Sequence, residues 1–298
     1  MSSNVLFLTQ NNAAGATLSA GSEATPVIRL QHPKLSVKWR STDLLPASTT
    51  IGIDFGPTAG SGPLALHRVL AAGALSGNFS PTAQAVFSLG DTWVDQGSGL
   101  LSGWNSGGLA PIFPSLVDDS EILHGLRGYL PPTLRDRLTR NAFFVPPTDV
   151  RHAYRYGRID FDDPDNPDGF VELGGLVAGP GIIPPDGTGI QPGWAFEPED
   201  TSEITSSDSG YESVRARAVR RVLRFTMNWL DFDRAMETFG QVFDLHLGTT
   251  RPFLTLPFPD LGALWLLGLW GLFRRPTGVN ESAAFHFQKG YELVEIVR

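Results

Sequence analysis

Apolar residues in this chain come in short runs, and nearly every run stops at glycine or proline. With 33 glycines and 23 prolines among 298 residues, the breakers lie too close together for long helices. They suit short strands joined by turns. Residues 49–56 (TTIGIDFG) show the pattern plainly: Ile51, Ile53 and Phe55 fall on one face at period two. Residues 5–9 (VLFLT) and 85–95 (AVFSLGDTWVD) read as further strands. Residues 27–41 (VIRLQHPKLSVKWRS) turn at Pro33. Residues 64–76 (LALHRVLAAGALS) read as a strand pair, with an alanine content that leaves a helix open. Spacing of this kind predicts a mainly β chain whose first part is a sandwich or jelly roll.

The rhythm changes between residues 114 and 140. SLVDDSEILHGLRGYL and TLRDRLTRNAFFV carry helix-like spacing and predict a helical insertion, followed by a strand at 142–145. Residues 181–194 (GIIPPDGTGIQPGW) are the strongest linker signal. The expected division is therefore a first domain over 1–180, a linker over 181–194 and a second domain over 195–298. In the second domain, residues 211–230 predict a long strand. Leu223, Phe225, Met227 and Trp229 fall on one face, with Arg224, Thr226 and Asn228 on the other. Phe232, Ala235, Met236, Phe239, Val242 and Phe243 then recur at helical spacing, with Asp231 placed to cap the helix and Gly248 to stop it. At least four more strands follow, making a β-sandwich or partial barrel with one packed helix.

An acidic, proline-broken stretch, YRYGRIDFDDPDNPDGFVELGGLVAGPG (residues 154–181), concentrates Asp162, Asp163, Asp165 and Asp168. An EF-hand needs alternating oxygen ligands, a glycine at its sixth position and a glutamate at its twelfth. Counted from Asp163, the fifth position is Pro167, the sixth Asp168 and the twelfth Gly174, so that site is excluded. Asp168-Gly169 is a turn signal. The reading is a turn joining two strands of one sheet, with no essential metal; an irregular calcium loop is the alternative.

Composition narrows the function. The formal charge is −8, and the basic cluster that stands out is Arg215, Arg217, Arg220, Arg221 and Arg224. Its alternation reads as one polar strand face rather than a phosphate track, which argues against nucleic acid. Without cysteine, disulfides, thiolate catalysis and cysteine zinc sites are impossible. The N-terminus lacks the pattern of a signal peptide. LGALWLLGLWGLF has thirteen residues against the ~20 of a spanning helix, so a buried strand or hairpin is expected, with no membrane insertion. No G-x-S-x-G, G-x-G-x-x-G or H-x-x-x-H pattern occurs, and neither a cofactor nor an enzyme activity is expected. Asp91 and Asp95 flank Trp93, and sugars stack on tryptophan, which makes these three a candidate glycan contact. The competing reading is a strand end with a half-buried indole, and the same holds for Trp39 and Trp104.

Several of these segments together resemble known families. HPKLSVKWRS, TTIGIDFG, LALHRVLAAGALSGNF and the acidic stretch follow the order of a discoidin-like, galactose-binding-like jelly roll. NPDGFVELGGLVAG is similar to minor tail proteins of long-tailed bacteriophages. RRVLRFTMNWLDFDRAMETFGQVFDL, LWGLF and KGYELVEI resemble their C-terminal region, whose strand–helix–strand pattern is that of tail-tube and distal-tail folds. The resemblance covers most of the chain and its motifs are structural rather than catalytic. It implies a virion structural protein, made in the host cytoplasm and located at the tail tip. The role implied is a distal-tail adaptor joining the tail tube to the baseplate hub. The alternative is a carbohydrate-binding module contacting host surface glycans. A ring of copies is expected, sixfold or alternatively threefold, with Arg220, Arg221 and Arg224 as candidate subunit contacts.

Overall fold

In a computed structural model, the described residues are 5–56, 67–93, 101, 103–113, 141–146, 153–184, 190, 193–206, 212–215, 219–230, 233, 241, 243–244, 247–257, 264–274, 280–283 and 286–297. They are mainly β, in antiparallel sheets stacked as layers. The expected insertion at 114–140 lies outside the described residues.

The outermost layer is a six-stranded sheet. Its main path runs Ala110–Pro111, Gln84–Gly90, Tyr156–Asp162, Thr50–Asp54 and Thr17–Ala20, with Trp104–Asn105 paired beside Gln84–Gly90. Its inner face carries Ile51, Ile53, Phe87, Ile159 and Phe161, all buried. These pack on a second, three-stranded layer of Ala142–Phe144, Ala71–Leu75 and Gly175–Gly179. The second layer is covered on both faces, so its strands read as unbroken small or apolar runs, AAGAL and GLVAG. Its smallness has a steric cause. A Cβ on Gly73 would lie 2.8 Å from the Phe143 ring, closer than real side-chain contacts.

The third layer is the largest. It runs Gly181–Ile182, Val5–Leu8, Phe253–Pro257, Leu269–Phe273, His286–Glu295, Val219–Leu230 and Ala195–Asp200, with Asn280–Ala283 paired to His286–Glu295. The sequence division at 181–194 does not separate these strands. Val5–Leu8 pairs with Phe253–Pro257 on one side and Gly181–Ile182 on the other. Within the expected linker, Ile190 is buried and bridges Met227. Leu6 and Leu8 face the second layer through Leu254, Leu256, Leu75 and Val177, while Val5 and Phe7 face the opposite core.

That opposite core is covered by the segment predicted as a helix. Its described members, Asp233, Gln241, Phe243, Asp244 and Leu247, are helical. The positions Phe232, Ala235, Met236, Phe239 and Val242 lie outside the described residues. Gly248 ends the element as expected, at φ +53° with its N–H donating to Phe243 O at 2.8 Å. Phe243 is fully buried among Phe7, Phe253, Phe273 and Tyr291, with ring centroids 4.9–6.2 Å away. Lys289, also buried, reaches back to Asp244 and ties the helix to the sheet. Burial, with Asp244 nearby, drives the Tyr291 phenol above its ordinary range, so it stays neutral.

Within residues 261–273, Leu264–Leu267 forms one helical turn and Leu269–Phe273 a buried strand. Among the described residues, no helix is long and apolar enough to cross a membrane. Residues 27–31, ahead of the turn expected at Pro33, are not a strand. They form a 3-10 turn, because Pro26 precedes them and the Glu23 carboxylate accepts the Val27 N–H at 2.7 Å.

Because Phe7 joins the first strand to the helix-side core, Phe7→Ala should cost ~3–5 kcal/mol, as large core truncations do. Urea unfolding should show a lower midpoint with an unchanged slope. A loss under 1 kcal/mol would mean that the N-terminal strand is not part of the cooperative unit.

Candidate functional site

The longest hairpin in the described structure pairs Ala195–Asp200 with Val219–Leu230 at one edge of the large sheet. Beyond Asp200↔Val219 the pairing slips by one residue and resumes at Glu203↔Arg215. Here Glu203–Ser206 and Glu212–Arg215 form a two-stranded arm with every residue exposed. Ile204 and Val214 sit opposite each other on it, 67% and 64% exposed. The sequence reading ran residues 211–230 together as one strand region. The slip divides it into Val219–Leu230 of the large sheet and the exposed strand Glu212–Arg215 of the arm.

The arginines near the base of this arm are engaged within the chain. Arg220 Nε donates to Glu199 at 2.7 Å. Arg224 bonds Glu197 at 2.7 Å and Glu292 at 3.3 Å. Arg274 adds bonds to Glu199 at 2.6 Å and Glu292 at 2.9 Å. Three cations and three carboxylates thus form one network across the strands, held by cross-strand pairing. Hydrogen bonds from Arg220 and Arg274 hold the Glu199 carboxyl below the usual carboxylate range, and Glu199 in turn raises Arg274.

Arg221 corrects the expectation of an outward basic face. It falls in step with Leu223, Phe225 and Met227, and it is 2% exposed. Its guanidinium forks onto Glu295, directly across the ladder, and donates to the Leu266 carbonyl at 2.6 Å. It is therefore a buried structural cation and not a subunit contact. Reversing its charge would set two carboxylates against each other in the core, and breaking such a pair costs ~3–5 kcal/mol. Arg217 lies outside the described residues, and Arg215 is exposed on the arm.

The carboxylates of the acidic turn are used within the chain. Asp163 is fully buried and accepts from the Ser80 N–H at 3.0 Å, the Ser80 hydroxyl, and Asn166 Nδ2 at 2.9 Å. Asp165 accepts from Thr82 at 2.9 Å, and Asp168 from Asn78 at 2.9 Å. The carboxylates fasten this turn to the 78–82 loop. The turn does not join two strands of one sheet. Tyr156–Asp162 lies in the outer sheet, and the chain then crosses to Glu172–Leu173 and to Gly175–Gly179 of the second layer. The break falls at Gly174, where a Cβ would meet Leu35 O at 2.3 Å.

Of the candidate glycan contacts, Asp91 is exposed and Trp93 half-buried, and Asp95 lies outside the described residues. The Trp93 indole lies over Gly52, where a Cβ would come 2.0 Å from Cη2, and its ring stands 5.7 Å from Tyr156. A glycine opposite the ring makes room for it, which is how a tryptophan covers a sheet. Trp39 is fully buried in the sandwich core. Sequence reasoning missed a second basic group, Arg29, Lys38 and Arg40, which converge beside Glu172. Their signal was the basic density of RLQHPKLSVKWR, obscured because the residues sit on a 3-10 turn, a loop and a strand.

Compared with known proteins, the chain matches no protein-family model, and it matches no curated protein sequence.

Two outcomes test this geometry. Asp163→Ala should cost ~1–3 kcal/mol for each buried donor left without an acceptor, while EDTA should leave the melting temperature unchanged; a fall with EDTA that calcium restores would show a metal role instead. The depressed Glu199 carboxyl contributes stability that is present above the ordinary glutamate value of 4.5 and lost as pH falls through its lower folded value. The melting temperature should therefore drop more steeply on acidification in the native chain than in Glu199→Gln. Parallel curves would remove the network from the acid response.

Proposed function

We propose that this chain is a structural subunit that assembles with copies of itself. Following the resemblance of its segments, we place the assembly at the tail tip of a long-tailed bacteriophage, as a distal-tail adaptor between tail tube and baseplate hub. The observation that carries the assembly reading is the arm of Glu203–Ser206 and Glu212–Arg215. A two-stranded ribbon has marginal stability in water, and this one presents the Ile204–Val214 pair to solvent. A covering partner would supply the burial that the single chain does not. Such an arm reaching a different surface of the next copy makes a heterologous contact, the kind that closes rings.

The edge network supports the same reading by another route. Arg220 and Arg224 are satisfied by Glu197, Glu199 and Glu292, so a neighbour meets a neutral, ordered edge beside the arm. Recognition then rests on shape and apolar contact at the arm, with rim charges setting encounter rate more than affinity.

The double variant Ile204→Lys, Val214→Glu alters only exposed positions and should leave the monomer folded with an unchanged circular dichroism spectrum. Electron microscopy of the native chain, mixed with its tail-tube partner, should show closed rings of sixfold or threefold symmetry, and the double variant should show none. A native chain that stays monomeric at high concentration with that partner, or a double variant that forms rings at ordinary yield, would defeat the proposal.

A further inference from the structure

The chain is acidic overall, yet one cleft gathers cations. A hollow of about 360 Å³ is lined by Thr25, Arg29, Ser36, Lys38, Arg40 and Glu172, a size at the small end of ligand sites. Its floor is a row across three strands. Glu172, Arg40 and Thr25 are successive cross-strand neighbours in the small sheet of Glu172–Leu173, Trp39–Ser41 and Glu23–Thr25. Lys38 lies two residues before Arg40 along the chain. Arg29, from the 3-10 turn, overhangs the row and is held by a long bond from Nη1 to Lys38 O at 3.4 Å.

Three cations therefore face one carboxylate. Glu172 is shared, with Lys38 Nζ at 2.5 Å and Arg40 Nη2 at 3.1 Å. The Lys38 ammonium nitrogen is buried, and although it is close to Glu172 it makes no aligned hydrogen bond. An ammonium has three donors, so this one has capacity for a further oxygen. Arg29 is exposed and has no carboxylate partner among the described residues. Arg40 lies with its guanidinium carbon 4.0 Å from the Phe170 ring centroid, a stacking that fixes the plane of its donors. Thr25 donates to Lys38 O at 3.0 Å, leaving its oxygen lone pairs toward other partners, and Ser36 adds a second hydroxyl.

We propose that this cleft binds an oxyanion, a carboxylate, sulfate or phosphate group, carried on a small polar ligand. Arg29 and Arg40 supply planar donors matched to paired oxygens. Lys38 supplies a point charge at the buried end, and Thr25 and Ser36 contact hydroxyls on the ligand body. Glu172 orders the two cations and also repels the incoming anion, which tunes the site toward modest affinity. This site is independent of the assembly reading and lies on the small sheet, in none of the strands that carry the arm.

Calorimetric titration of the full chain with glucuronate, glucose 6-phosphate, inorganic phosphate, sulfate and glucose tests it. Charged ligands should bind and glucose should not, and added salt should weaken binding. Arg29→Gln, at an exposed position that leaves the fold intact, should weaken binding about tenfold or more, the loss expected for one charge-assisted hydrogen bond. Glu172→Gln should strengthen it, since the competing carboxylate is gone. Equal binding of bare phosphate and glucose 6-phosphate would support the oxyanion site and assign no contact to the sugar body. Absence of binding by every anion at 10 mM (an upper working limit of about that order for weak sites), or binding unchanged by Arg29→Gln, would overturn the proposal.

Discussion

Four residues at the start of the chain hold the layers together. Val5–Leu8 is buried on both faces. Its odd side chains enter the core under the helix, and its even ones enter the seam against the three-stranded layer. A strand buried on both sides has no polar face to show, which is why it reads VLFL without alternation. The chain then leaves the sheet through Asn11, whose side chain donates to Leu176 O and accepts from the Ala178 N–H. Gly179 lets Gln10 pass, since a Cβ there would lie 2.2 Å from Gln10 O. The first strand is thus fastened to residues near both the middle and the end of the sequence. Its loss would expose two cores at once.

Charge in this protein follows a similar logic of local closure. Arg220, Arg224 and Arg274 meet Glu197, Glu199 and Glu292 across strands, and Arg221 meets Glu295 in the interior. Buried charge is tolerable only when paired and hydrogen-bonded, and Arg221 satisfies both conditions through Glu295 and the Leu266 carbonyl. The arginine-rich strand is therefore mainly a device of the fold. The Lys38 cleft differs, because Lys38 and Arg40 share one carboxylate, Glu172, and Arg29 adds a third cation to the same lining. The arm differs too, because apolar groups stand in water. At both places the single chain leaves a physical demand unmet.

Local pattern carried much of the fold. Period-two alternation at Ile51, Ile53 and Phe55, and at Leu223, Phe225 and Met227, identified strands and their buried faces, because alternation and burial are the same fact seen at two scales. The same alternation places Arg221 among the inward residues, while Arg220 and Arg224, of the opposite parity, stay on the more exposed face. Gly248 announced the end of its helix through the positive φ that glycine adopts at low cost. The acidic turn was legible as a turn. That Asp163 was its buried anchor was not, because Ser80 lies far from it along the chain.

The sequence by itself determined the class of structure. Closely spaced glycines and prolines limit element length, and two-residue periodicity demands sheets, so a mainly β chain follows from local sterics and local hydrophobic pattern. Only the tertiary structure decided which strands share a sheet. Pairing of Val5–Leu8 with Phe253–Pro257 and the meeting of Arg29, Lys38 and Arg40 with Glu172 around one cleft depend on long-range packing. Backbone hydrogen bonds are alike for every residue type but proline, so the ladder itself names no partner. The choice is made by which side chains can fill one core together, and that is a property of the whole chain.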